Sequence, residues 1–168
     1  MERSRSQVDA LVQLLDHTLD EGESAFGDHR WHSLVGNLIS VTPDAWDARP
    51  AGAGRTIREL VWHLGVTYLM HENHAFGDRS LRKADAGIDV GVGFGSAPEA
   101  HIRWLRGCHT VFRDSVAGLT DNRLDEVTEC AWGDLLPFRR IIELMIQHPL
   151  YHGGEINHIR ELVQGNDE

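Results

Sequence analysis

The chain has 168 residues, 41% hydrophobic and 25% charged, so one globular domain spanning residues 1–168 is expected rather than a disordered or fibrous chain. Its 26 acidic and 16 basic residues give a formal net charge of −10, which repels phosphate backbones and anionic lipid and argues against nucleic-acid or membrane partners. No stretch approaches the roughly 18 consecutive apolar residues of a membrane-spanning helix.

The first segment, MERSRSQVDALVQLLD, has charges where an export signal needs an apolar centre, so a cytoplasmic protein is expected. Helical periodicity runs from about Gln7 to Ser40, with a break around Gly22 to Asp28. Its second half places Trp31, Leu34, Val35 and Leu38 on one face, and Val41-Thr42-Pro43 ends it. A loop rich in Gly, Ala and Pro follows from Ala45 to Arg55. Thr56 and Glu59 then form a capping box ahead of Ile57, Leu60, Val61 and Leu64, and Gly77 is the expected C-cap of this second helix.

A Gly-rich connection occupies Asp78 to Gly95. Ser96 and Glu99, flanking Pro98, open a third helix by the same capping logic, and Gly118 closes it. Leu119 to Leu136 reads as irregular, with no convincing strand alternation anywhere. Pro137 opens the last helix, which carries Ile141, Met145, His148, His152, Ile156, Ile159 and Val163 along one stripe until Gly165. Cys108 and Cys130 lack CxxC spacing and read as reduced, mostly buried thiols. Four amphipathic helices with modest connections predict an all-α protein, an antiparallel four-helix bundle.

Eleven histidines make position more informative than number. His148 and His152 are four apart, which on a helix puts both imidazoles on one face, at the spacing that lets two nitrogens reach one ion. Both lie on the core-facing stripe, where unpartnered imidazoles are costly, so a shared metal or an ordinary hydrogen bond must satisfy them. His63, beside Leu60 and Leu64 on the second helix, is the candidate third ligand; a backbone hydrogen bond at the edge of the core accounts for it equally well. His71 and His74 read as solvated or as neighbours of the ligands. Pro149 predicts a kink or local irregularity between the paired histidines.

WHLG around His63 and HPLYHGGEINHIREL from His148 to Leu162 resemble the two signature segments of the DinB-like superfamily. WHSLVGNLISVTPDAW and ENHAFGD are similar to a subgroup of that family, so the resemblance extends from about Trp31 to Gly165. It implies an up-down-down-up four-helix bundle whose metal is held by residues matching His63, His148 and His152, often in a homodimer. It also implies, for some members, transferase or isomerase chemistry with a low-molecular-weight thiol such as mycothiol or bacillithiol. Pro149 departs from the usual tail motif.

Three neutral ligands leave a fourth position open, as in catalytic zinc sites. An open site of that kind can lower the pKa of coordinated water to about 7 or deprotonate a bound thiol. The resemblance favours a metal-dependent thiol transferase acting on small electrophiles, with zinc or nickel as the ion. A metal-dependent hydrolase and a non-catalytic, stress-related metal-binding protein are the alternatives. Glu155 is placed to orient a ligand or act as a base, or else to pair with His158 or Arg160 on the surface. Tyr151 reads as a half-buried packing residue, and Trp62 and Trp132 as core or pocket wall. Gly153 and Gly154 suggest close approach by another backbone or a substrate. The GVGFGS run at Gly91 to Ser96 lacks a Walker lysine and reads as a linker or flap.

Overall fold

The computed structural model describes residues 6–20, 33–52, 54–82 and 97–165. Among the described residues the regular structure is helical except for one small hairpin, and no described helix is long and apolar enough to cross a membrane.

Helix α1 (Ser6–Leu19) buries Val8, Val12, Leu15 and Leu19. Its first turn is capped from far along the chain: the Asp121 carboxylate accepts from the backbone N–H groups of Gln7 and Val8 at 3.1 and 3.0 Å. That satisfies two of the donors a helix start leaves open and places a negative charge at the positive end of the dipole. Helix α2 (Leu34–Ile39) begins at Ser33, whose Oγ accepts from the Gly36 N–H. Leu34, Val35 and Leu38 are buried as expected, whereas Trp31 and the Gly22–Asp28 break lie outside the described residues.

Pro43 does more than end a helix. It is the first residue of a short helix, α3 (Pro43–Asp47), with Thr42 as N-cap, so part of the expected loop is helical. Proline suits this position because its missing N–H would have no helical partner there. Trp46 of α3 is fully buried.

Helix α4 (Ile57–Ala75) has the complete capping box: the Glu59 N–H donates to Thr56 Oγ1 at 3.2 Å, and the Thr56 N–H donates to Glu59 Oε2 at 2.8 Å. The bond from Thr56 is the chief reason the Glu59 carboxyl is held below its usual range, with Arg49 adding to it. The helix stops one residue earlier than the glycine signal implied, with Phe76 as its C-cap. Helix α5 (Pro98–Ala117) starts at Ala97, which makes no side-chain capping bond; Ser96 and the GVGFGS run lie outside the described residues. Gly118 closes α5 as expected.

The segment read as irregular contains a 3-10 turn (Asp121–Arg123) and an antiparallel hairpin, β1 (Val127–Glu129) with β2 (Leu135–Pro137). Thr128 pairs with Leu136, and Gly133, at φ +88°, supplies the left-handed residue its turn requires. Thr128 Oγ1 donates to the Ala75 carbonyl at 3.2 Å, fastening the hairpin to the end of α4.

Helix α6 (Phe138–Gln164) is one continuous helix with Pro149 inside it, the position at which a kink or local irregularity was expected. Gly165, at φ +77°, caps it in the left-handed conformation. Val163, assigned to the core stripe, is 38% exposed. Among the longer helices, α4 packs most extensively on α5, α1 packs on α5 and α6, and α6 also meets α4. Leu60, Leu64, Leu105, Phe112, Ile141 and Ile156 are fully buried between them. Cys108 and Cys130 are free, buried thiols, and burial pushes Cys108 up to about 12.

Two details bring these helices together. Gly65 of α4 lies under the Trp104 ring of α5, so close that a Cβ would fall inside contact distance of that ring. Arg160 of α6 is buried and reaches the end of α2, donating to the Asn37 carbonyl at 3.1 Å and to Ser40 Oγ at 2.8 Å. A guanidinium there complements the negative end of the short helix.

Candidate metal centre

His63 stands in the second turn of α4, between the fully buried Leu60 and Leu64 and close behind the capping box. His148 and His152 stand one turn apart on α6. The packing of α4 on α6 brings all three together. Ring centroids are 5.0 Å apart for His63–His148, 5.0 Å for His63–His152 and 4.7 Å for His148–His152. One ligand atom from each lies within 4.8 Å of the others, so the group could hold a metal ion.

The donor chemistry fits a divalent ion. His63 Nε2 and His148 Nε2 are 3.1 Å apart. Two nitrogens bound at 2.0–2.1 Å to one tetrahedral ion sit about 3.3 Å apart, so little movement separates this arrangement from a ligating one. Burial, followed by the neighbouring His152, pushes His148 down to about 4, which keeps its imidazole neutral and its lone pair available at neutral pH. His152 is buried, and its Nδ1–H donates to Glu155 Oε2 at 2.9 Å. That bond fixes the tautomer and leaves Nε2 as the ligating atom.

Glu155 therefore pairs with His152, not with the surface partners considered for it. His158 lies beside Glu161 instead, at 3.8 Å, and Arg160 is committed to α2. Tyr151 is 75% exposed, with its ring edge-on to His152 at 5.0 Å, so it is not a packing residue. A Cβ at Gly153 or Gly154 would meet nothing within 4 Å, and the idea that they admit another backbone is set aside.

Neither His71 nor His74 is solvated, and His71 lies beside the ligand group, one of the two roles expected of it. Both are buried. His71 Nδ1–H donates to the Thr67 carbonyl at 2.9 Å, and His74 Nε2–H donates to the Leu81 carbonyl at 3.2 Å. Burial holds His71 below the ordinary imidazole range, so it too is neutral at neutral pH.

A cavity of about 140 Å³ adjoins the histidine group, lined chiefly by His63, Val66, Met70, His71, Trp132 and His148. Trp132, on the hairpin turn, forms the outer wall, consistent with one of the two roles expected of it. Met70 and the hairpin carried no sequence signal of their own beyond Trp132 next to Gly133. A larger cavity of about 330 Å³ meets the centre only through Glu155.

The chain matches the family model described as the DinB superfamily over residues 1–156, a span that includes His63, His148, His152 and Glu155. A crystal structure described as a DinB-like protein from Bacillus cereus ATCC 10987 has a similar fold, with a TM-score of 0.59 and 15% identity, covering 81% of this chain and 87% of that one. No curated protein matches the sequence.

Proposed function

The chain belongs to the DinB superfamily, and from that premise we propose that it is a metal-dependent transferase that joins a low-molecular-weight thiol to a small electrophile. The observation that carries this reading is the convergence of three imidazoles from two helices, with a carboxylate behind one of them. In this reading His63, His148 and His152 hold a divalent ion, zinc or nickel, and Glu155 positions His152. A divalent ion there acts as a Lewis acid and lowers the pKa of a coordinated thiol, making a nucleophile available near neutral pH.

The residues of the chain do the rest. His63 and His148 line the 140 Å³ cavity, so a molecule seated in it adjoins the ligand set. Val66, Met70 and Trp132 supply apolar walls that displace water from the reacting groups. Imidazole-only ligation suits both ions named. The four longer helices form the up-down-down-up bundle of one domain, in a cytoplasmic homodimer.

The test is turnover by purified protein loaded with zinc or nickel, supplied with a small electrophile and a panel of thiols. Thiol-dependent and metal-dependent loss of the electrophile supports the proposal. Metal-dependent ester hydrolysis without thiol replaces it with a hydrolase. Absence of turnover, with unfolding when metal is removed, makes the ion structural.

A further inference from the structure

His71, beside the cavity, has an unspent acceptor packed under the exposed Trp132 ring, so a donor reaches it when that indole turns aside. Its side chain is 1% exposed, and Nδ1, bonded to the Thr67 carbonyl of its own helix, must carry the ring proton because a carbonyl only accepts. With the ring neutral, Nε2 bears a lone pair. It is buried and has no hydrogen-bond partner. Because Nδ1 turns back onto α4, Nε2 faces away from that helix, on the side where Trp132 sits edge-on with ring centroids 4.6 Å apart. Trp132 is itself 60% exposed, an unusual position for an indole unless it covers something. An acceptor buried without a donor costs free energy that a ligand supplying a donor would recover.

The dimensions restrict that ligand. A cavity near 150 Å³ lined by apolar side chains holds a benzene-sized molecule, and this one measures about 140 Å³. His63 and His148 are part of its lining.

We propose that this cavity is the seat of the small electrophilic substrate, a mostly apolar molecule about the size of one six-membered ring carrying one hydrogen-bond donor, with that donor on His71 Nε2 and its apolar body between Met70 and Trp132. The proposal deepens the reading of the histidine centre and rests on it for the reaction the bound molecule undergoes. The seating itself requires only the cavity and His71. The thiol, too bulky to share a ring-sized space, approaches the centre from outside it.

The probes are phenol and fluorobenzene, close in size, of which only phenol has a donor. Each is titrated into metal-free and zinc-loaded protein while the ring resonances of Trp132 and His71 are followed by NMR. Phenol is expected to perturb both residues and to bind about two- to tenfold more tightly than fluorobenzene, the contribution of one neutral hydrogen bond. The preference is expected to vanish in His71→Phe, which keeps a ring but no acceptor. Trp132→Ala, a change at an exposed residue, is expected to weaken both probes.

Equal affinities in the wild-type protein would overturn the proposal, as would a preference that survives His71→Phe or saturation that leaves Trp132 unperturbed. The wild-type comparison needs no variant to fold. Phenol seated as described without any thiol transfer would sink the transferase reading alone, whereas turnover without selective seating would sink this one alone.

Discussion

Glu155 Oε2 lies 2.9 Å from Nδ1 of His152, three residues earlier on the same helix, so the ring is oriented before any ion arrives. Carboxylates placed behind a ligating imidazole typically contribute 10–100-fold to metal affinity. Glu155→Ala should therefore weaken zinc binding by about that factor, measured by competition with a chromophoric chelator. Unchanged affinity would reduce the contact to an incidental surface pair.

Metal stoichiometry tests the ligand set directly. The wild-type chain should retain about one zinc or nickel ion after loading and desalting, by elemental analysis, as one open three-histidine site requires. His63→Ala, His148→Ala and His152→Ala should each lose most of it. His74→Ala, whose ring is bonded to the Leu81 carbonyl, should retain it. Retention of metal by all three ligand variants would dismiss the assignment.

Acid should destabilise the metal-free protein. Burial holds His71, His109 and His148 below the ordinary imidazole value, His148 at about 4. Between its own depressed value and about 6.5 each binds fewer protons folded than unfolded, so stability falls as pH falls through the window. Urea midpoints taken from about pH 7 down to about pH 5 should decline, by at most about 1.4 kcal/mol per unit for each fully shifted histidine. A flat profile would contradict the burial of these rings.

Gly65→Ala should destabilise despite the better helix propensity of alanine. The added Cβ meets the Trp104 ring, which is held in the α4–α5 packing. Overpacking costs about 1–3 kcal/mol against a propensity gain of about 1 kcal/mol. Calorimetry should show a Tm lower by a few degrees, since about 1 kcal/mol moves a chain of this size by roughly 2–4 °C.

Arg160→Met keeps much of the side-chain volume but removes the donors to the Asn37 carbonyl and Ser40 Oγ. A loss of about 2 kcal/mol or more is expected in urea unfolding, because a buried carbonyl loses a charged donor. Stability equal to wild type would mean that the end of α2 finds another partner.

The long helices and the His148–His152 pair were legible because their signals are local, whereas His63 was joined to them by the resemblance. The stripe of α6 recurs at helical spacing, and the Thr56–Glu59 box occupies four consecutive positions. What escaped depends on distant partners. Asp121 caps a helix whose start lies 114 residues away, and nothing near it in the sequence says so. Strands of three residues contain too few alternations to register as a pattern. The burial of His71 was hidden because α4 is covered on more than one face, from Leu60 and Val61 through Val66 to Tyr68. At Pro149 the helix continues past a missing donor, held by the buried residues on either side of it along α6.

The hairpin bearing Trp132 has a consequence for how such a protein can diversify. The imidazoles are anchored in two long helices, whereas the outer wall of the neighbouring cavity is one indole on a short turn fastened to α4 through Thr128. In the proposed reading, choice of guest and hold on the ion are thus encoded in separable stretches of chain. Exchanging the residues from Ala131 to Asp134 can retune what enters while the ligand geometry stays as it is.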